Sequence, residues 1–304
     1  MIRLDFTQLH ELASVETLIE PVRLAFLAGA TTPQRIHYDI GNATLLLMPS
    51  WRAGDLLGIK IATVFPDNAA QGVPSVNAQY MLISAKTGQF LASLDGRALT
   101  LLRTAAVSAL AANLLAPPEP ETLLLVGTGA LIPYLASGHA AVRRYTSIIV
   151  WGRDRTRAAA TVAELARDGL PAEVAEDLEA AVSSAGVISC ATMSEEPLVR
   201  GRWLKPNTHL DLVGGYRPTM READDDCMRD AFVVTDTLTA LEECGDLRIP
   251  IESGVLDASA VVPLDRLMRD GALQHPAERT VFKSVGVALA DLAAAQWIVE
   301  RSQA

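Results

Sequence analysis

A short glycine turn, Gly127-Thr128-Gly129, stands between an apolar run and a helical pattern. The first glycine permits a tight turn, and the second lets backbone N–H groups approach a ligand closely. The amino end of the following helix adds partial positive charge, so the turn suits a pyrophosphate. Ile132 replaces the third small residue of the usual fingerprint, which lowers the specificity of the motif. A glycine turn without a ligand is the alternative, but the surrounding alternation of strands and helices favours a dinucleotide site.

The residues after the next predicted strand, 147–151, bear on which dinucleotide would bind. A site selective for NAD usually carries an acid at this strand tip, where it binds the ribose 2′-hydroxyl. Here the tip is Gly152, followed by Arg153. A small residue leaves room for a 2′-phosphate, and a guanidinium binds phosphate in bidentate fashion. Asp154 comes late and could equally be a helix N-cap, and Arg153 and Arg155 could be a solvated helix start. We expect NADPH, with NADH as the alternative.

Three basic residues occupy unusual positions in the otherwise apolar first third of the chain. Lys60 lies inside a predicted strand, on the face that it shares with Gly58 and Ala62, Arg103 lies in an alanine-rich helix, and Arg35 precedes a strand. A buried cation is costly unless it is paired. An anionic substrate is one solution, because a carboxylate suits one arginine and a lysine. Pairing with nearby acids, or exposure to water, is an equal alternative.

The second half of the chain has the pattern of a parallel sheet. Strands are predicted at residues 122–126, 147–151, 171–175, 187–191, 209–213 and 231–235. Helices are predicted from about residue 130, at 154–167 and at 177–185. Strands that alternate with helices indicate a doubly wound, Rossmann-type α/β fold.

The first part of the chain has a different organisation. Helices are predicted at residues 18–28 and 98–115, and strands at 43–48, 57–64, 79–84 and 90–94. This spacing predicts an α+β domain with an antiparallel sheet or small barrel. A proline-rich linker at 117–120 predicts a boundary between residues 1–116 and a dinucleotide-binding domain of residues 117–284. A last alanine-rich helix, 285–301, is assigned with residues 285–304 to the first domain.

Composition narrows the classes of partner. The chain has 304 residues and a formal net charge of −10, from 26 basic and 36 acidic residues. This balance argues against nucleic acid as a partner. No run of about 18 uncharged apolar residues predicts a membrane helix, and the first residues lack a signal-peptide pattern. The cysteines, Cys190, Cys227 and Cys244, are scattered, which argues against a disulfide framework or a metal site. We expect a cytoplasmic protein.

Five ordered segments resemble the ornithine cyclodeaminase/mu-crystallin family, and the similarity runs from Thr32 to about Asp291. The segments are 57–60, 102–106, 126–130, 214–222 and 282–286. The resemblance implies a homodimer formed through the N-terminal domain, with an active site between the two domains. It also implies that Arg35, Lys60 and Arg103 hold a substrate carboxylate. Besides the glycine turn, it implies cofactor contacts from further residues: Ser75, Ala130, Leu131, Thr192, Asp211, Leu212 and Val213.

Two departures favour one branch of this family. Cyclodeaminases carry an aspartate directly after the paired glycines, where this chain has Tyr216, and a glutamate where it has Leu46. Without those carboxylates, deamination and ring closure lack their acid–base groups. The chain is more similar to the ketimine reductases, which reduce Δ1-pyrroline-2-carboxylate and Δ1-piperideine-2-carboxylate to proline and pipecolate. Residues 129–133 and His139-Ala140 also resemble that branch.

The resulting hypothesis is that NADPH delivers hydride to the C=N carbon of a small anionic imino acid. Lys60 could supply the proton to the imine if burial and its arginine neighbours lower its pKa, and a bound water could do so equally. His37, His139 and His209 are other titratable candidates, more simply explained as structural or surface residues. Alternative functions are a cyclodeaminase with bound NAD, an alanine dehydrogenase-like enzyme and a crystallin-like binding protein.

Overall fold

The computed structural model describes residues 1–270 and 279–303. The chain divides into two compact units, Met1–Val107 with Val287–Ala304 and Ser108–Gly286. The first division falls inside a long helix rather than at the proline-rich linker, which lies about ten residues further along. The second falls close to the predicted change at residue 285. A helix that continues through a boundary contains no turn residues to mark it, so the boundary predicted from the prolines differs from the one in the structure.

The first unit contains a six-stranded sheet with the order β1-β6-β5-β4-β3-β2. Its strands are β1 (Ile2–Leu4), β2 (Ile36–Ile40), β3 (Ala43–Trp51), β4 (Leu56–Val64), β5 (Val76–Ser84) and β6 (Phe90–Asp95). All neighbours are antiparallel except β1 and β6, which are parallel. The predicted antiparallel sheet is thus mixed, with β1 and β2 as its two edge strands.

The helices of this unit are α1 (Phe6–Leu12), α2 (Val15–Ala28) and α11 (Ala288–Arg301), together with the start of α3 (Gly96–Leu115). Asp5 and Ser14 begin α1 and α2 as capping boxes, which satisfy backbone donors that would otherwise be unpaired. Helix α11 packs against β3, β4 and β5. It faces the side of β4 on which Gly58, Lys60 and Ala62 are buried, as the period-2 alternation of a strand predicts.

The second unit contains an eight-stranded, entirely parallel sheet with the order β13-β12-β14-β11-β10-β7-β8-β9. Its strands are β7 (Glu121–Val126), β8 (Tyr145–Trp151), β9 (Ala172–Val174), β10 (Val187–Cys190), β11 (His209–Leu212), β12 (Phe232–Thr235), β13 (Val262–Pro263) and β14 (Thr280–Lys283). The chain runs outward from β7 to β9 and then resumes at β10 on the other side of β7. The switch point of the sheet therefore lies between β7 and β10, where ligands of doubly wound folds bind at the carboxyl ends of the strands.

The helices of this unit are α4 (Ile132–Val142), α5 (Arg155–Arg167), α6 (Leu178–Ser184), α7 (Asp225–Met228), α8 (Ala240–Glu243), α9 (Gly245–Glu252) and α10 (Leu264–Arg269). The predicted α/β fold is confirmed, and every predicted strand and helix is present with shifted ends. The elements that were not predicted are mostly short: β1, α1, β2, α7 to α10, β13 and β14. Segments of two to eight residues provide too few positions for a periodic pattern.

Helix α3 is apolar along its whole length. By length and composition it could cross a membrane, but 83% of its most apolar stretch is buried inside the protein. The sequence prediction differed because it counted only uncharged runs, and Arg97 and Arg103 interrupt this one. A core helix and a membrane helix have the same composition, and burial accounts for the apolar residues here.

Candidate active site

A cationic cluster is buried in the first unit and consists of Lys60, Arg103 and Asp291. Lys60 and Arg103 are 3% and 4% exposed, and Asp291 is fully buried. Lys60 Nζ lies 2.9 Å from Asp291 Oδ2, and Arg103 Nε donates to Asp291 Oδ1 over 2.8 Å. Two positive groups share one negative group, so the cluster carries a net charge of +1. An excess positive charge in a buried place is costly unless an anion offsets it.

The third predicted substrate residue, Arg35, also acts on this cluster. Burial, the largest cause, and the positive charges of Arg103 and Arg35 lower the pKa of Lys60, while Asp291 raises it, and together they bring the pKa to about 8. Within the described residues, the terminal nitrogens of Arg103 make no hydrogen bond, because only its Nε is engaged. The structure therefore brings Lys60 and Arg103 together, with Arg35 near enough to act on Lys60 electrostatically, and one edge of the Arg103 guanidinium has the donors that suit a carboxylate.

The partner carboxylate, Asp291, was not predicted as a site residue. It lies in the first turn of α11, where the neighbouring residues up to Ala295 are all alanine or leucine, and an acid inside such an apolar stretch is the signal that could have identified it. Tyr80 was not predicted as a site residue either, and its buried hydroxyl has no hydrogen-bond partner among the described residues. A Cβ on Gly58 would overlap that hydroxyl, so the glycine in β4 makes room for the tyrosine.

The glycine turn of the second unit follows β7. Gly127 is buried with φ of 132°, and a Cβ there would lie 2.7 Å from the carbonyl oxygen of Ala191. Gly129 is exposed, and a Cβ there would meet no protein atom within 4 Å. Helix α4 begins after Leu131 without a side-chain cap, whereas Asp154 caps the next helix, α5. The amino end of α4 thus has N–H groups and open space for a phosphate.

The tip of β8 carries the residues from which a preference for NADPH is predicted. A Cβ on Gly152 would overlap the methyl group of Thr128, so a larger residue at this position would require that threonine to shift. Arg153 is exposed and makes no ion pair or hydrogen bond with the described residues. Asp154 is the N-cap of α5, accepting hydrogen bonds from two backbone N–H groups. Arg157, which was not predicted as a site residue, donates to the carbonyl of Thr128 over 3.1 Å. Its spacing of four residues from Arg153 could have identified it from the sequence.

A second buried ionic network lies behind the carboxyl ends of β10 and β11. Glu222 Oε1 accepts from the backbone N–H of Thr192 over 2.6 Å and from its hydroxyl over 2.9 Å. Glu222 Oε2 accepts from the backbone N–H of Gly214 over 2.7 Å. Lys283 Nζ lies 2.9 Å from Asp246 Oδ2 and 3.9 Å from Glu222 Oε2. Both glutamate and lysine lie in segments that carry the family resemblance, but no role was assigned to them from the sequence.

Asp211, which was predicted as a cofactor contact, is fully buried. Its carboxylate accepts from Ser108 Oγ over 3.1 Å and from Ser189 Oγ over 2.6 Å, and lies 3.1 Å from His139 Nε2. These partners occupy the side chain inside the unit. The strand end that follows, at Val213, is where a ligand could reach this segment.

The remaining predicted cofactor residues divide between the two units. Ala130 is exposed and Leu131 half-buried beside the glycine turn, Leu212 is buried in β11, and Ser75 is half-buried before β5 in the first unit. Of the candidate histidines, His139 and His209 are fully buried and His37 is exposed. Burial lowers the pKa of His209 to about 3, so this ring is neutral at physiological pH and has a structural role.

The two residues that replace the cyclodeaminase carboxylates have clear places. Leu46 is buried in β3 opposite Ala62, and the next buried residue of that strand, Met48, lies opposite Lys60. An acid at position 46 would therefore lie on the same face as Lys60, and this face instead carries a leucine. Tyr216 is half-buried after the paired glycines.

Comparisons with known proteins identify the family of the chain. The model of the ornithine cyclodeaminase/mu-crystallin family matches residues 6–304. The chain is 37% identical over 291 residues to a Δ1-pyrroline-2-carboxylate reductase of Paracoccus denitrificans, covering 90% of each chain. It is 34% identical over 307 residues to one of Colwellia psychrerythraea, covering 97% of each. The chain belongs to the ornithine cyclodeaminase/mu-crystallin family.

Several solved structures have the same fold. The Δ1-pyrroline-2-carboxylate reductase of Thermococcus litoralis in complex with NADH and L-proline matches with a TM-score of 0.94 at 29% identity, covering 100% of this chain and 98% of that one. An archaeal alanine dehydrogenase dimer with bound NAD matches at 0.92 and 25% identity, covering 100% and 96%. A probable ornithine cyclodeaminase of Bordetella pertussis matches at 0.88 and 28%, covering 99% and 97%. Since enzymes with three different activities share the fold, the side chains of the site must distinguish them.

Proposed function

We propose that this protein is an oxidoreductase that reduces cyclic imino acids with NAD(P)H, converting Δ1-pyrroline-2-carboxylate to L-proline and Δ1-piperideine-2-carboxylate to L-pipecolate. The buried cluster of Lys60, Arg103 and Asp291 carries the proposal, because its net positive charge suits a substrate carboxylate. The names of the two curated relatives and the proline complex of the Thermococcus enzyme support the same reaction. We also propose a cytoplasmic location for the enzyme.

The second unit would hold the dinucleotide. Gly127 and Gly129 form a turn with open space over Gly129, and the amino end of α4 would bind the pyrophosphate. When bound, the reduced nicotinamide supplies the hydride. The first unit would hold the carboxylate through the free edge of Arg103 and through Lys60, so that the imine carbon is fixed for hydride transfer. Lys60, with its pKa lowered to about 8, can hold a proton for the imine nitrogen, and a bound water is the alternative donor.

The cyclodeaminase alternative is disfavoured by the residues on the Lys60 face. Leu46 leaves that face without the carboxylate that deamination would use, and Tyr216 replaces the second one. A panel of five- and six-membered cyclic imines with NADPH and NADH, assayed beside ornithine and beside pyruvate with ammonia, distinguishes the candidates. We expect oxidation of the dinucleotide with the cyclic imines. Release of ammonia from ornithine without added cofactor would overturn the proposal.

Gly129→Ala tests whether the space over the glycine turn belongs to a ligand. The added methyl group would meet no protein atom within 4 Å, so we expect an unchanged thermal unfolding midpoint. It would occupy the space of the pyrophosphate, so the Kd for NADPH should rise about tenfold or more. Fluorescence titration measures the Kd. Gly127→Ala is the contrast, because its methyl group would clash with Ala191 and should lower both stability and affinity. An unchanged Kd in Gly129→Ala would refute the site.

We propose NADPH as the preferred cofactor, and Arg153→Asp tests it. The absence of an acidic side chain at Gly152 and the exposed guanidinium of Arg153, which makes no ion pair or hydrogen bond with the described residues, suit a 2′-phosphate. A lost charge-assisted contact is worth about 1.5–3 kcal/mol, so the KM for NADPH should rise about 10- to 100-fold while that for NADH changes little. Arg167→Asp, at the opposite end of α5, is the control and should leave both values near wild type. An unchanged NADPH preference in Arg153→Asp would contradict the assignment.

The lowered pKa of Lys60 predicts two pH effects of opposite sign. Pyrrole-2-carboxylate, a planar carboxylate probe, should lose affinity about tenfold per pH unit above about pH 8, because the ammonium is then deprotonated. Between about pH 8 and the ordinary lysine pKa of 10.5, the unfolded chain binds more protons than the folded one, so this group should make stability rise with pH. Calorimetric titration and urea unfolding measure the two effects. In Lys60→Arg, which stays charged, affinity should be flat to pH 10; the same break in that variant would exclude Lys60 as its cause.

We further propose that the protein is a homodimer formed through the exposed face of the first sheet. Ile36, Tyr38 and Ile40 of the edge strand β2 are 43%, 51% and 50% exposed, and Ile61 of β4 is 39% exposed. The sheet register aligns Ile36 with Leu47 and Leu47 with Ile61, so an apolar strip crosses the face opposite Lys60. Such a strip is typical of a subunit interface. Sedimentation should give a dimer for the wild type and a monomer for Tyr38→Glu.

A further inference from the structure

The chain segments that leave β10 and β11 are joined by one buried carboxylate. Glu222 is fully buried, and its two oxygens accept three hydrogen bonds, from Thr192 N, Thr192 Oγ1 and Gly214 N. Thr192 comes two residues after the end of β10, and Gly214 comes two residues after the end of β11. These strands are neighbours in the parallel sheet, so the glutamate connects the two segments that follow them at the carboxyl edge of the sheet.

The glutamate is itself held in a fixed place. Asp246 Oδ1 accepts from the backbone N–H of Glu222 over 2.7 Å and from that of Ala223 over 3.1 Å. Lys283 Nζ, fully buried, lies 2.9 Å from the other oxygen of Asp246 and 3.9 Å from Glu222. Two carboxylates and one ammonium therefore form a compact ionic group. A network in which each member is hydrogen-bonded makes a rigid support.

The paired glycines of this segment are required by the same arrangement. A Cβ on Gly214 would overlap the backbone of Thr192 and lie 2.5 Å from Glu222 Oε1, and one on Gly215 would lie 2.9 Å from Asp246 Oδ2. The backbones of the two segments are thus in direct contact and leave no space for side chains at Gly214 and Gly215. The close approach brings both N–H groups within reach of one carboxylate.

This junction adjoins the glycine turn. Cys190, the last residue of β10, is paired with Val126, which directly precedes Gly127. The carbonyl oxygen of Ala191 lies 2.7 Å from the position that a Cβ on Gly127 would occupy. A shift of the chain at Thr192 would therefore move the wall against which the phosphate turn is packed, at the switch point of the sheet.

We propose that Glu222 is a positioning residue for the dinucleotide, which fixes the chain segments at Thr192 and Gly214 beside the phosphate-binding turn. The inference rests on the proposed function, because it assumes that a dinucleotide binds at this edge. Glu222 does not touch the ligand in this account. It acts through the two backbone segments, and for this it must be an ionised carboxylate. A proton on one oxygen, or an amide nitrogen in place of one oxygen, would place a second donor opposite a backbone N–H group.

The first test replaces one acceptor by a donor of the same shape. In Glu222→Gln, the amide NH2 must face either Thr192 or Gly214, so one segment loses its anchor. We expect the Kd for NADH to rise about tenfold, the scale of one lost charge-assisted hydrogen bond. The Kd for pyrrole-2-carboxylate, assigned to the Lys60 cluster, should stay within about twofold of wild type. Glu252→Gln, an exposed glutamate paired with Arg248, is the matched control and should leave both constants unchanged.

The second test needs no variant, so it holds even if Glu222→Gln fails to fold. Burial and the charge of Asp246 raise the pKa of Glu222 to about 7, while Lys283 and the backbone N–H groups lower it. Among the described residues, the thiols of Cys190 and Cys244 also interact with this network, and burial raises the pKa of both above the usual range. They therefore stay protonated between pH 6 and 8.

In the wild type, the Kd for NADH should increase as the pH falls below about 7, because protonation of Glu222 disturbs the same anchor. NADH is the probe because its pyrophosphate keeps a constant charge over this range. Glu222→Gln should bind weakly with no pH dependence, and Glu222→Asp, which keeps both oxygens, should recover part of the affinity and its pH dependence. A flat wild-type profile, or a Glu222→Gln variant that unfolds earlier but binds NADH normally, would overturn this inference alone. A wild type that binds neither NADH nor NADPH would overturn the proposed function as well.

Discussion

Arg103→Met should raise the KM for the imino acid about 10- to 100-fold while leaving NADPH affinity near the wild-type value. The guanidinium is buried, and its Nε is engaged by Asp291, so its terminal nitrogens are the groups that would bind a carboxylate. A charge-assisted hydrogen bond contributes about 1.5–3 kcal/mol, and each 1.4 kcal/mol corresponds to about tenfold in affinity. Methionine fills similar space without a charge, so the loss reports the carboxylate contact rather than a cavity.

The control is Arg97→Met, the same change on the same helix. Arg97 is exposed and lies 5.5 Å over the ring of Phe6, away from the charged cluster, and we expect its steady-state constants to match the wild type. Initial-rate measurements at saturating NADPH give KM and kcat for both variants. A KM that is unchanged in Arg103→Met would mean that the guanidinium serves only as the partner of Asp291.

Asp291→Asn should be among the most destabilising substitutions in the chain. The change removes the carboxylate shared by Lys60 and Arg103 and leaves two buried cations that repel each other. Breaking a buried ion pair by removing one partner costs about 3–5 kcal/mol. Urea unfolding should report a loss of this size, whereas Asp55→Asn, which breaks a partly exposed pair with Arg52, should cost less than about 1 kcal/mol.

The same variant has a second, more specific readout. If the cluster is built for an anion, a bound carboxylate should offset part of the missing charge. Pyrrole-2-carboxylate at about 100 times the wild-type Kd adds about 2.7 kcal/mol to the wild type by linkage, and the variant should gain at least as much at the same ligand concentration. Stability that does not respond to the ligand would indicate that the cations are there for folding alone.

The fold was largely predictable because its signals are local. The glycine turn after an apolar strand, the N-cap at Asp154 and the alternation that places Lys60 on a buried face all depend on residues within a few positions of each other. Each of these features is present in the structure. No local signal marks the boundary between the units, because α3 continues through it without a break in its apolar pattern.

The partners within the site could not be predicted in the same way. Lys60 and Arg103 were recognised as unusual cations, but Asp291 is separated from them by 231 and 188 residues. Alternation and helical periodicity indicate which side chains are buried, and they do not indicate which distant groups meet. The same limit applies to Glu222, Asp246 and Lys283, whose network joins short loops and strands to one another.

The proposed function depends on the transfer of hydride from a nicotinamide to the imine carbon of a cyclic imino acid. Reduction of Δ1-pyrroline-2-carboxylate with NADPH deuterated on the transferring face of nicotinamide C4 tests it directly, with mass spectrometry and NMR of the product. We expect proline that carries one deuterium at Cα, formed in equal amount to the oxidised dinucleotide. Proline without the label, or oxidation of the dinucleotide without proline, would contradict the account.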